Sequence, residues 1–166
     1  MSVPRLHRNE RGITLLDLIL VILLIALALP AMMRLFIEAT RDSTLSATVT
    51  GAHALASTLL EEIRSKRWDE NAGAPSPILG PEVGETRPTY DDVDDFTGLN
   101  ESPPLDSQGT TMAGFENFRQ QVSVCYVANT DLDTCVGGTS NYKRVTATVT
   151  TASQRTIELV TVLSNF

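Results

Sequence analysis

The chain has 166 residues, enough for about one globular domain and an accessory segment. Its apolar fraction of 42% is ordinary, but a continuous apolar stretch near the N-terminus holds much of it. The formal charge is −7; residues 1–12 carry +2 from three arginines and one glutamate, so the rest carries −9. Because the main part is acidic, we expect no direct binding of nucleic acid through electrostatic attraction.

The apolar stretch covers residues 13–33, and only Thr14, Asp17 and Pro30 interrupt it. As a helix it would be roughly 31 Å long, enough to cross the hydrocarbon core of a membrane. An ordinary secretory signal has a shorter apolar stretch with a small-residue cleavage site after it, which is not the pattern here. The basic residues before the stretch favour a cytoplasmic N-terminus and export of the chain beyond residue 33.

Asp17 is the residue that a plain single-pass anchor leaves unexplained, since a carboxylate inside a membrane is costly unless it is paired. The segment from Gly12 to Asp17, Gly-Ile-Thr-Leu-Leu-Asp, resembles the cleavage and methylation motif of type IV prepilins and pseudopilins. The resemblance implies a leader of residues 1–12, cleavage after Gly12 and N-methylation of Ile13. Asp17 then takes the position of the family's acid, usually Glu, and Ile13 that of the usual Phe.

The motif has a physical basis. A glycine at the cut lets a protease approach the backbone, because it has no side chain to clash. Asp17 lies about one helical turn beyond the new terminal amine, so it can neutralise that amine or a neighbour's in an apolar bundle.

A second resemblance extends the first. The residues at 59–71, Leu-Leu-Glu-Glu-Ile-Arg-Ser-Lys-Arg-Trp-Asp-Glu-Asn, and at 90–96, Tyr-Asp-Asp-Val-Asp-Asp-Phe, look like those of the D-type minor pilins of mannose-sensitive haemagglutinin pili. The family implies an α+β fold with a long helix on a small antiparallel sheet. It also implies an inner-membrane location with a periplasmic head, and as partners a prepilin peptidase, other pilins and an assembly platform protein.

A helical pattern continues beyond the apolar stretch, since Leu45, Val49, Ala52, Ala56, Leu59 and Ile63 recur at steps of three and four. We expect one helix over about 13–68, kinked near Pro30; the alternative is two helices with a break near Gly51. The expected divisions are a membrane or filament-core helix at 13–33, an amphipathic helix at 34–70 and a head at 71–166.

Residues 71–114 hold six of the eight prolines and show no sustained periodicity, so we expect a long acidic loop. Asp91, Asp92, Asp94 and Asp95 place four carboxylates within five positions. They are candidate calcium ligands, because calcium binds oxygen atoms, or else a solvated acidic turn. No other cofactor is expected.

The last part, 115–166, predicts antiparallel strands at about 118–127, 143–150 and 156–163, where Thr, Val and Ile dominate. The two cysteines, Cys125 and Cys135, lie in the exported part. A disulfide between them is expected in an oxidising compartment, and two separate thiols are the alternative.

The function that these patterns favour is that of a minor pilin or pseudopilin that polymerises through its N-terminal helix. Alternatives are a minor pseudopilin of a type II secretion system, or a pilus-tip subunit with an adhesive or DNA-uptake role. An enzyme is not expected, because His53 is the one histidine outside the leader, too few for a Ser–His–Asp or Cys–His arrangement.

Overall fold

A computed structural model describes residues 14–70 and 75–165. Contacts divide the chain into two compact units, residues 1–45 and 46–166. One long helix comes first, and two 3-10 turns and five strands come after it. These elements are α1 (Leu15–Arg64), the turns Arg87–Thr89 and Asp94–Phe96, β1 (Asn100–Glu101), β2 (Arg119–Ala128), β3 (Asp131–Cys135), β4 (Tyr142–Thr150) and β5 (Thr156–Ser164).

The single helix expected from the sequence is confirmed, and the alternative with a break near Gly51 is wrong. Both Pro30 and Gly51 lie inside α1. A Cβ atom at Gly51 would lie 3.6 Å from the ring of Phe115, an ordinary contact distance, so the helix passes this glycine without a break. The last turn fits the helix dipole, with Arg64 as its basic residue.

The helix ends four residues earlier than expected because the next stretch of backbone bonds to another segment. The N–H of Arg67 donates to the carbonyl of Asp91 at 3.1 Å, and the N–H of Val93 donates to the carbonyl of Arg67 at 3.0 Å. These two bonds form a short parallel bridge between Arg67 and Asp92. Ser65 and Lys66 still donate to carbonyls of the helix, and from Arg67 the backbone is joined to the loop.

The strands form one antiparallel sheet with the order β1-β2-β4-β5, and β3 pairs with the end of β2. The three long strands lie close to their expected bounds. Alternation decides which residues face the core: in β4 every second residue from Lys143 is buried, through Val145, Ala147 and Val149. The fold is therefore the expected α+β arrangement, a long helix packed on a small antiparallel sheet.

The core lies between the second part of α1 and the sheet. Leu59, Leu60 and Ile63 of the helix pack on buried side chains of the sheet and of the loop, which are Val93, Phe96, Leu99, Val122, Val124, Val145 and Ala147. A neighbouring cluster joins Ala52, Leu55 and Ala56 to Val149. This burial explains why the apolar pattern of 45–63 has a helical period.

A disulfide joins Cys125 in β2 to Cys135 at the end of β3, with 5.7 Å between the Cα atoms. The expected bond is thus confirmed. It closes the hairpin between the two strands, where the register shifts between Val127 and Ala128. The sequence had not predicted β3 as a strand, because it is short and all five of its residues are exposed.

Candidate functional site: an apolar helix surface and a buried lysine cluster

The first part of α1 presents apolar side chains on all its faces. From residue 15 to residue 37 the large apolar side chains are 45–77% exposed. Within the described chain this is one helix long and apolar enough to cross a membrane. Exposed apolar surface of this extent is costly in water, and lipid or other apolar helices around the segment would remove that cost.

Asp17 lies at the start of this helix and caps it together with Thr14. The Thr14 hydroxyl donates to Asp17 Oδ2 at 2.8 Å, and the Thr14 N–H reaches the same oxygen at 3.2 Å. In return the Asp17 N–H donates to the Thr14 hydroxyl at 3.2 Å. This reciprocal pair is a capping box, in which two otherwise unpaired backbone donors are satisfied.

The capping box gives Asp17 a role that sequence reasoning missed, although the signal was present. Thr with an acid three residues later, just before an apolar run, is typical of a helix start. Gly12 and Ile13 lie outside the described residues, so cleavage after Gly12 and methylation of Ile13 remain predictions.

A buried lysine holds the segment after α1 against the sheet. Lys143 of β4 is fully buried, and its Nζ lies 2.5 Å from Asp94 Oδ1 and 3.1 Å from Asp69 Oδ2. The same ammonium donates to the carbonyl of Trp68 at 2.6 Å and lies 4.2 Å from the centre of the Trp68 ring. These four residues, with Tyr126, whose ring centre lies 5.7 Å from Nζ, are here named the Lys143 cluster.

Asp92 adds a third buried carboxylate beside this cluster. Its Oδ1 accepts the backbone N–H groups of Asp94 at 2.9 Å and Asp95 at 3.2 Å. Its Oδ2 has no hydrogen-bond partner within residues 14–70 and 75–165. Burial, helped by the negative charge of Asp94, raises the pKa of Asp92 to about 7. One ammonium cannot balance three buried carboxylates, and the proton on Asp92 reduces that imbalance.

A second buried ion pair joins the helix to the loop. Arg87 donates from two nitrogens to the two carboxylate oxygens of Glu62, at 2.5 and 2.6 Å. Its guanidinium carbon lies 5.0 Å from the centre of the Phe96 ring. Bidentate arginine–carboxylate pairs of this kind fix orientation as well as distance. The first 3-10 turn is thereby held against α1.

The expectation of a solvated acidic turn at 91–95 is wrong for three of the four residues, because Asp92, Asp94 and Asp95 are each 1% exposed. Of the four candidate calcium ligands, Asp94 is engaged with Lys143 and Asp91 with Arg67. Asp91 and Asp95 lie close to a further acid, Glu85, with one oxygen of each within 4.8 Å of the others. The sequence did not indicate Glu85, which precedes Asp91 by six residues.

The fold and these contacts define an α+β protein with an exposed apolar helix that could span a membrane. No protein-family model, no curated protein and no solved structure matches the chain. Its function is therefore inferred from its own residues.

Proposed function

We propose that this chain is a minor pilin or minor pseudopilin, a structural subunit that enters a type IV filament through its N-terminal helix. In this proposal the leader, residues 1–12, is removed by a prepilin peptidase. The mature subunit waits in the inner membrane with its head in the periplasm. It then passes to a filament of related subunits through an assembly platform protein.

The observation that carries the proposal is the apolar surface over residues 15–37, next to a chain segment that builds its own core. A helix that is apolar on every face is stable only in lipid or among other apolar helices. A filament core made of such helices offers the second environment, and the membrane offers the first. A subunit that moves from the membrane into the filament needs both environments.

Asp17 supports the same proposal. As the acid of the capping box it organises the first turn of the helix, and its charge lies near the start of the mature chain. A neighbouring subunit's terminal amine would find there a carboxylate that is already oriented by Thr14. Pairing of two such charges in an apolar bundle offsets the cost of burying each one and can set the axial register.

Processing is the first test. The chain is co-expressed with a prepilin peptidase, and the mass of the N-terminal peptide is measured. We expect loss of residues 1–12 and a methylated Ile13, and we expect Gly12→Val to block the cut by crowding the backbone. The matched control is Gly138→Val, where an added Cβ meets no atom within 4 Å. An intact N-terminus beside an active peptidase would refute the proposal.

Assembly is the second test. Filaments are sheared from cells, and the amount of this chain in them is compared with the membrane pool. Recovery with surface pili supports a pilus of the haemagglutinin type, and recovery with a secretion pseudopilus supports the type II alternative. A chain that is processed but is found neither in surface pili nor in a secretion pseudopilus would be a membrane anchor and not a filament subunit.

A further inference from the structure

Three acidic side chains meet on one side of the loop after α1. Glu85, Asp91 and Asp95 each bring a carboxylate oxygen within 4.8 Å of the other two, and they are here named the Glu85 cluster. Glu85 also belongs to a second such group, with Glu70 and Glu82. Acidic residues gather at many protein surfaces, so proximity alone does not make a site.

Asp95 supplies the independent observation. It is 1% exposed, and its Oδ2 accepts the backbone N–H groups of Asp91 at 2.8 Å and Asp92 at 3.0 Å. Its Oδ1 is buried and has no hydrogen-bond partner within the described parts of the chain. A buried carboxylate oxygen without a donor is rare in native proteins, and a bound cation can satisfy such an atom.

The charges around the cluster leave an excess of negative charge. Arg67 pairs with Asp91 and, at 3.1 Å, with Glu70. Lys66 donates to the carbonyl of Tyr90 at 2.6 Å. Within residues 14–70 and 75–165, Arg67 and Lys66 thus lie beside the five carboxylates of the two groups, while Arg87, near the Tyr90 ring, is paired with Glu62. The carboxylates of the two groups therefore outnumber the cations beside them.

Glu85 and Asp95 lie next to each other in this cluster, with one carboxylate oxygen of each within 4.8 Å of the other. Like charges this close repel each other, and a cation bound between the two carboxylates would reduce that repulsion.

We propose that the Glu85 cluster is a calcium site, in which Glu85, Asp91 and Asp95 bind the ion through carboxylate oxygens. All three ligands are hard oxygen donors, and such donors favour calcium or magnesium over the softer transition metals. Their irregular spacing in a loop suits calcium, which accepts flexible geometry, better than magnesium, which needs a near-ideal octahedron. The proposed site is not the set of four aspartates expected from the sequence, because Asp94 is paired with Lys143. It is independent of the filament proposal.

The test uses the full chain in detergent micelles, treated with a chelator and titrated with Tb³⁺. Tyr90 precedes Asp91 directly, so a lanthanide in the site should show luminescence on excitation of the tyrosine. Calcium should displace Tb³⁺ and raise the midpoint of thermal unfolding. Because one charged ligand is lost, Glu85→Gln should weaken calcium binding by about tenfold or more. Glu158→Gln, at an exposed glutamate of β5, is the matched control and should bind as the parent chain does.

Asp91→Asn is the second variant, for the case in which Glu85→Gln disturbs the loop; circular dichroism checks the fold of both. It should also weaken binding, while the control does not. Three results would overturn the proposal: no displacement of Tb³⁺ by calcium, equal calcium affinity in the parent chain and both variants, or equal displacement by magnesium.

Discussion

The ammonium group of Lys143 lies 2.5 Å from Oδ1 of Asp94, and both side chains are buried. The lysine belongs to β4 and the aspartate to the second 3-10 turn, 49 residues apart in the chain. With Asp69 and the carbonyl of Trp68, this contact joins the sheet, the loop and the segment after α1 at one buried point.

Removing the lysine should therefore destabilise the protein strongly. We expect Lys143→Met to lower the free energy of unfolding by about 3–5 kcal/mol, because two buried carboxylates lose the ammonium that balances their charge. Chemical denaturation of the full chain in detergent measures the change. Lys66→Met is the control, since Lys66 is only partly buried and makes one bond to a backbone carbonyl. An equal loss in the two variants would mean that the Lys143 cluster is not the cause.

Asp92 should make stability depend on pH. Its pKa is raised in the folded state to about 7 from an ordinary 3.8, so the folded chain holds a proton that the unfolded chain releases. The stabilisation is complete below about pH 4 and is lost as pH rises towards 7, by up to about 1.4 kcal/mol per pH unit. Asp92→Asn mimics the protonated acid and should flatten this part of the profile.

The measurement for Asp92 is the unfolding free energy from pH 4 to pH 8 with chelator present. Asp94 and Asp95, whose charges act on the Asp92 carboxyl group, and the nearby Tyr126 stay unchanged in the variant. Glu85 also has a pKa raised to about 7, so Glu85→Gln is measured beside it. Identical profiles for the parent chain and Asp92→Asn would show that Asp92 does not titrate in this range.

Substitutions at Asp17 and Thr14 separate capping from charge. Asp17→Asn keeps an oxygen that can accept the Thr14 bonds but removes the charge, so it should enter filaments less well than the parent chain. Asp17→Ala removes both and should also assemble poorly, while membrane insertion stays intact. Asp17→Glu restores the residue usual in the resembled family and should assemble at least as well.

Thr14→Ala is the matched control for Asp17. It removes the hydroxyl of the capping box, which should cost the helix start about 0.5–2 kcal/mol, and leaves the carboxylate in place. The readout is the amount in sheared filaments relative to the membrane. If Thr14→Ala lowers incorporation as much as Asp17→Asn does, capping and not charge is the property that matters.

The disulfide should stabilise the hairpin of β2 and β3. Cys125 and Cys135 are ten residues apart, and closing a loop of this size contributes about 2–3 kcal/mol in the loop-entropy model. Protein exported to the periplasm should resist alkylation until it is reduced. The double variant with serine at both positions should unfold at lower denaturant. Rapid alkylation of both thiols in native, non-reduced protein would contradict this.

The elements that could be predicted are those with a local, repeated signal. Residues 15–37 are mostly apolar, and 45–63 repeat with a helical period, so the long helix can be predicted from the chain alone. The alternation of Val and Thr in β4 predicts a strand with one buried face. The two cysteines lie in the part of the chain that the basic N-terminal flank predicts to be exported, and in an oxidising compartment this predicts the disulfide. Short elements such as β1 and β3 offered no such period.

The helix, the three long strands, the disulfide and the apolar surface are thus encoded in local residue patterns. Which charges are buried depends instead on how distant segments pack. Lys143 lies 74 residues from Asp69 and 49 from Asp94, and no local sequence pattern predicts a contact between residues so far apart in the chain. The same holds for Glu85 beside Asp95. In the sequence alone, acidic residues in a polar loop indicate a solvated turn. The packing of the helix and the sheet against this loop buries Asp92, Asp94 and Asp95 and so decides their partners.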